Sequence, residues 1–161
     1  MSIEKLVEQL EQQPTTVEKH FADKRDEWIA DVSKLMNDVA AWLGPAIEKK
    51  LVRVERGEVD IEEQDTVPYR VAALTIHLGE RKVEVRPRGM RVVGVVPAGR
   101  GKRIVGARGR VDLVSGPARA TVLRKADRTW QLAAVDGWPS EKEAVPLTQE
   151  TLTDALSELI G

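Results

Sequence analysis

The spacing of apolar residues changes from helical to alternating near residue 50, and this change constrains the fold more than any other feature. Before residue 45, apolar residues recur every three or four positions, which predicts helices. After residue 50 they alternate with polar residues in short segments separated by Gly, Pro and Asp, which predicts strands. The connections between these segments are too short for parallel crossovers. The pattern therefore predicts an α+β fold with an antiparallel β-meander.

Three helices are expected around this sheet. A short N-terminal helix is predicted over about residues 3–12. A long amphipathic helix follows over about residues 16–43, and Gly44-Pro45 is predicted to end it because glycine and proline commonly follow a helix C-terminus. Thr148 is a suitable N-cap for a C-terminal helix over residues 148–160.

The predicted strands are short and closely spaced. They lie near residues 51–55, 58–63, 69–78, 81–86, 91–96, 102–105, 109–114, 118–124 and 129–135. Turns are expected at Gly79-Glu80, Arg88-Gly89 and Ser115-Gly116-Pro117. The segment 71–78 is apolar at nearly every position, which predicts a central strand covered on both faces.

The length of 161 residues predicts one domain, 1–161. Within it, residues 1–45 are expected to be helical, residues 51–135 to form the antiparallel sheet, and residues 148–160 to form the last helix.

The long helix carries large apolar residues at seven-residue intervals. These are Phe21, Trp28, Leu35 and Trp42. A stripe of this kind is explained by a helix that lies on its own sheet. The strict spacing is also typical of helix-on-helix packing between chains, so the four residues are a candidate self-association surface.

Charge is unevenly distributed along the chain. Residues 81–128 contain fourteen Lys or Arg and only three acids, whereas residues 1–65 contain nine Lys or Arg and sixteen acids. A basic block of this kind can bind phosphates, contact the protein's own acidic helices, or contact an acidic partner. All three interpretations are compatible with the sequence.

The basic block supplies the candidate contacts for an anion or a nucleic acid. They are Arg86, Arg88, Arg100, Lys102, Arg103, Arg108 and Arg110. Strand alternation places Arg86 and Arg110 on the face opposite the apolar residues of their strands. Residues 71–128 contain no aromatic residue that could stack on single-stranded bases, and no helix-turn-helix is recognisable. Any nucleic-acid binding is therefore expected to be backbone-directed and indifferent to sequence.

No catalytic residue, cofactor site or metal site is predicted. The chain has no cysteine, which excludes disulfides, thiolate metal sites and cysteine nucleophiles. The acidic, mixed N-terminus and the lack of a long apolar run predict a cytoplasmic protein that does not bind membranes.

Three functional hypotheses remain open. The leading one is a non-enzymatic interaction or accessory domain that binds itself or another protein. The alternative is a nucleic-acid-binding module that uses the basic sheet face and loops. A more distant third is an enzyme that acts on an anionic small molecule in a basic cleft.

Overall fold

The computed structural model describes residues 2–12, 16–63, 67–90, 107–135 and 144–161. Its elements are α1 (Ile3–Gln12), α2 (Thr16–Trp42), α3 (Gly44–Glu48), β1 (Val52–Ile61), β2 (Tyr69–Leu78), β3 (Arg81–Gly89), β4 (Arg110–Ser115), β5 (Ala118–Arg124), β6 (Trp130–Val135), β7 (Val145–Pro146) and α4 (Gln149–Ile160). These strands form one antiparallel sheet in which the spatial order follows the chain order. The predicted α+β fold with an antiparallel meander is confirmed.

The hydrophobic core lies between one face of the sheet, called here the inner face, and the helices α2 and α4. In β3, Val83 and Val85 are buried on the inner face while Lys82 and Arg86 are exposed on the opposite, outer face. The helices contribute Trp28, Val32, Leu35, Met36, Val39, Leu152, Ala155, Leu156 and Leu159. The apolar residues that alternate along the strands and those spaced along α2 and α4 thus form one core.

The predicted helix boundaries agree closely with the structure. The long helix ends at Trp42, but the chain then forms the short helix α3, which the sequence interpretation missed. Proline near the start of α3 is favourable because the first helical N–H groups have no partner within the helix. Thr148 caps α4: the Thr151 N–H donates to Thr148 Oγ1 at 3.2 Å.

Two strand predictions are wrong. The break expected near residues 56–57 does not exist, because β1 runs continuously from Val52 to Ile61. Arg88-Gly89 is not a turn; both residues belong to β3. Gly89 has φ +151° at a register shift, so this glycine permits a bulge-like irregularity. Turns at Gly79-Glu80 and Gly116-Pro117 are confirmed, and the segments 91–96 and 102–105 lie outside the described residues.

Strand β2 differs from the expected central strand covered on both faces. It is the second strand of the sheet, and its buried residues change from odd positions, Tyr69 and Val71, to even positions, Leu74 and Ile76. The change occurs where pairing with β3 begins, since β2 pairs with β3 only from Leu74 onward. The nearly continuous apolar run therefore reflects two half-strands that bury opposite sides.

Candidate functional site

Three of the predicted anion contacts lie together on the outer face of β3 and β4. Arg86 and Arg88 come from β3, and Arg110 comes from the start of β4. The side chains of Arg86 and Arg88 are 45% and 46% exposed, whereas that of Arg110 is 22% exposed. Arg100, Lys102 and Arg103 lie outside the described residues, so their relation to this group stays a prediction.

A single buried carboxylate organises these arginines. Asp112 in β4 is 1% exposed, and Arg86 is its Cα partner across the β3–β4 ladder. The Arg88 Nε–H donates to Asp112 Oδ2 and the Arg110 Nε–H donates to Asp112 Oδ1, both at 2.8 Å. A buried carboxylate requires compensation of this kind because removing its charge from water is costly. We call Asp112, Arg86, Arg88 and Arg110 the Asp112 cluster.

Asp112 itself is a sequence signal for this cluster. Asp112 is the only acid between residues 85 and 126, and it falls at an outward-facing position of its strand. A lone acid surrounded by arginines is a natural centre for ion pairs. Its burial depends on neighbouring strands, which the sequence does not order.

Glu84 forms two further pairs on the outer face, and both are solvated. Glu84 Oε2 lies 3.4 Å from Arg86 Nη2, and Glu84 Oε1 lies 3.9 Å from Lys82 Nζ. Exposed pairs of this kind contribute about 0–1 kcal/mol to stability. They leave the two cations accessible.

Arg108 has no described contact with the Asp112 cluster, although it is close to Arg110 in sequence. Its carbonyl oxygen accepts hydrogen bonds from Arg124 Nε at 3.1 Å and from Arg124 Nη2 at 2.8 Å. The adjacent Gly109 packs directly against the Trp28 ring, leaving no room for a Cβ. The Arg108-Gly109 backbone therefore has a structural role, whereas the sequence analysis proposed Arg108 only as a candidate anion contact.

A second charged group joins helix α2 to the hairpin formed by β5 and β6. Arg124 is buried, and its Nη1 donates to Asp31 Oδ2 at 2.6 Å. Arg128 binds both oxygens of Asp31, through Nε at 2.9 Å and Nη2 at 2.6 Å, and Glu27 lies within 4 Å of both arginines. We call these four residues the Asp31 junction. The sequence offered contact between the basic block and the acidic helices as one interpretation, but it did not identify these residues, because Asp31 is 93 residues from Arg124.

The electrostatics of the Asp31 junction favour the ionised pair. Burial raises the pKa of Asp31, but hydrogen bonds and charge from Arg128 and Arg124 outweigh burial and hold the pKa below its ordinary value of 3.8. The hydrogen bond to Asp31 correspondingly raises the pKa of Arg128. The Arg124 guanidinium also lies 4.9 Å from the centre of a Trp28 ring, a cation–π contact.

The seven-residue stripe of α2 belongs largely to the core of its own chain. Trp28 and Leu35 are 0% and 3% exposed, and Trp42 packs against the core while partly buried. Phe21 is half-buried. Trp28 and Leu35 therefore pack within their own chain, as the first interpretation of the stripe expected, and they are inaccessible to the partner that the second interpretation required.

A different helix exposes apolar residues. In α1, Ile3 is 79% exposed, Leu6 is 46% exposed and Val7 is 44% exposed. Their spacing places them on one side of the helix. We call these three residues the α1 stripe. The sequence predicted the helix, but it did not indicate that this side would face solvent.

Other chemistry finds little support in the described part of the chain. No group of three or more metal-ligating side chains occurs among those residues. None of the described helices is both long and apolar enough to cross a bilayer. His77 Nε2 lies 3.7 Å from Glu55 Oε2 on the outer face, and Arg53 and Lys82 are the cross-strand neighbours of His77.

Comparison with protein-family models, with curated proteins and with solved structures finds no match for this chain.

Proposed function

We propose that this protein is a non-enzymatic interaction domain that self-associates through the α1 stripe. The observation that carries the proposal is the exposure of Ile3, Leu6 and Val7 on one side of a ten-residue helix. Isolated helices shorter than about 12–15 residues are marginal in water, so α1 is expected to need an apolar surface to pack against. A contact that covers the stripe would stabilise the helix and the assembly together.

A second copy of the chain is the occupant that α1 fits best. A two-fold contact places the same apolar surface on both sides, so the α1 stripe is complementary to itself. At 3.6 residues per turn, Lys5 and Glu8 lie about 150° around the helix from the centre of the stripe, so both face away from this contact. The contact between the two copies is therefore expected to be apolar.

The expected affinity is modest. Fully burying one Leu, Ile or Val side chain contributes about 1.5–3 kcal/mol, and association costs at least about 4 kcal/mol in lost translational and rotational freedom. Ile3, Leu6 and Val7 are only 79%, 46% and 44% exposed, so the six side chains of a dimer contribute roughly 5–10 kcal/mol. The dissociation constant is then expected to be about tens of micromolar or weaker, and sedimentation must extend to high protein concentrations.

Sedimentation velocity over a concentration series tests the proposal. The wild-type mass should rise from one chain toward two, and Leu6→Glu should keep the protein monomeric because it places a charge inside the contact. Leu51→Glu is the matched control, since Leu51 is 66% exposed but lies outside α1. A wild type that is monomeric at every concentration, or a Leu6→Glu variant that associates like the wild type, contradicts the proposal.

Backbone-directed nucleic-acid binding is the second candidate function. It is favoured by Arg86, Arg88 and Arg110 lying together on the outer face. Fluorescence anisotropy of a labelled mixed-sequence duplex tests it over a salt series. Phosphate contacts predict an affinity that falls steeply with salt, whereas no binding at low salt would reject the candidate.

The enzymatic hypothesis and the cytoplasmic location stay predictions. No feature of the described residues favours either prediction.

A further inference from the structure

The Asp112 cluster contains more positive charge than its buried carboxylate requires. One guanidinium would neutralise Asp112, yet both Arg88 and Arg110 donate to it. Arg86 lies directly across the ladder and adds a third cation, and its ion pair among the described residues is with the partly exposed Glu84. Asp60 and Glu62 line the same shallow depression as Arg86 and Arg88, and Arg70 binds Asp60.

The arginines also retain most of their hydrogen-bond donors. Arg88 and Arg110 each use only Nε–H toward Asp112. The four terminal N–H groups of each guanidinium make no hydrogen bond to any side chain within the described ranges. A guanidinium carries five donors in a rigid fork, so anchoring Nε fixes the plane in which the free donors lie.

We propose that the Asp112 cluster is a binding site for a phosphate-like dianion. Arg88 and Arg110 contact the anion through their terminal nitrogens, and Arg86 supplies a further cation. Asp112 acts as a positioning residue, because it orients both guanidinium groups without touching the ligand. A tetrahedral dianion suits this site better than a carboxylate, since it has enough oxygens to accept hydrogen bonds from several guanidinium groups.

The site is independent of self-association through the α1 stripe. It also does not depend on whether the phosphate is free or belongs to a polymer. Loss of α1 contacts by Leu6→Glu should therefore leave anion binding unchanged, so failure of one proposal can be distinguished from failure of the other.

NMR titration with inorganic phosphate tests the site. The Nε–Hε signals of Arg88 and Arg110 are followed at constant ionic strength, balanced with sodium chloride, and above the second pKa of phosphate. Both signals should shift and saturate with one common dissociation constant. Shifts that grow linearly without saturating would overturn the proposal.

Three variants separate a built site from a general positive patch. Arg86→Gln leaves both bonds to Asp112 intact and should weaken binding several-fold. Arg81→Gln removes an exposed arginine at the other end of β3 and should leave the affinity unchanged. Arg88→Lys keeps the charge but loses the fork, so the site predicts weakening of about tenfold whereas a simple charged patch predicts none. Equal affinities for all three variants would overturn the proposal.

A short mixed-sequence duplex distinguishes the sources of phosphate. If the duplex shifts the same two signals at a lower concentration than phosphate does, the site binds the phosphodiesters of a polymer. If phosphate saturates the signals and the duplex leaves them unchanged, the site takes free or terminal phosphates. A duplex that shifts other residues only, together with no saturation by phosphate, contradicts the site.

Discussion

Gly109 shows how strongly a single residue is constrained in this fold. A Cβ at this position would overlap the Trp28 ring, which is itself fully buried. We therefore expect Gly109→Ala to destabilise the protein by about 1–3 kcal/mol, the usual cost of overpacking a core. Gly57→Ala is the control, because a Cβ there meets no atom within 4 Å. Chemical denaturation of both variants measures the difference, and equal stabilities would contradict the described packing.

Arg124 is the other residue whose surroundings decide stability. It is 2% exposed, and Asp31 is its nearest carboxylate. Asp31→Asn leaves Arg124 without that ionised partner, so we expect a loss of about 3 kcal/mol in the free energy of unfolding. Asp26→Asn, at an exposed residue of the same helix, should change it by less than about 0.5 kcal/mol.

The same substitution predicts a change in acid sensitivity. Because the folded-state pKa of Asp31 is lowered, its ionised form stabilises the protein above pH 3.8, and this contribution is lost as the pH falls through the folded-state value. The stability gap between wild type and Asp31→Asn should therefore be largest near neutral pH and shrink below about pH 4. Denaturation midpoints between pH 7 and pH 3 measure the gap. A constant gap would show that ionisation of Asp31 does not contribute.

At the scale of elements, the sequence predicted most of what local chemistry controls. The bounds of helix α1, strand β2 and the last helix agree with the expectation because periodicity and caps are local, whereas the burial of β2 does not. Gly89 was predicted to lie in a turn, but glycine is also common at β-bulges, and Gly89 lies at a register shift within β3. The continuity of β1 depends on pairing with β2, which local spacing does not reveal.

The cap of α4 gives a prediction at this scale. Thr148 accepts from the Thr151 N–H, and its own N–H donates to Thr151 Oγ1 at 2.8 Å. Thr148→Ala should destabilise the protein by about 1 kcal/mol, the typical cost of losing an N-cap. Thr153→Ala removes an exposed hydroxyl within the same helix and is the matched control. Thermal unfolding measures both, and an unaffected Thr148→Ala variant would contradict a stabilising cap.

At the scale of the whole molecule, part of the charge asymmetry is resolved within the chain. Arg124 and Arg128 from the basic block bind Asp31 of the acidic helix, as one of the three interpretations expected. Arg88 and Arg110 bind Asp112 within the block itself. The candidate site was only partly predictable, since alternation gives the outward positions of Arg86 and Arg110 but not the burial of Asp112. The choice between core and surface for Trp28 and Ile3 likewise depends on tertiary packing.

The central claim is that two copies meet at the α1 stripe, and interchain spin-label distances test it most directly. The chain has no cysteine, so Glu8→Cys in α1 introduces a single labelling position on an exposed residue. Double electron–electron resonance should detect interchain coupling that grows with concentration and disappears when Leu6→Glu is added. Absence of coupling at concentrations where sedimentation detects dimers, or coupling that survives Leu6→Glu, would contradict the claim.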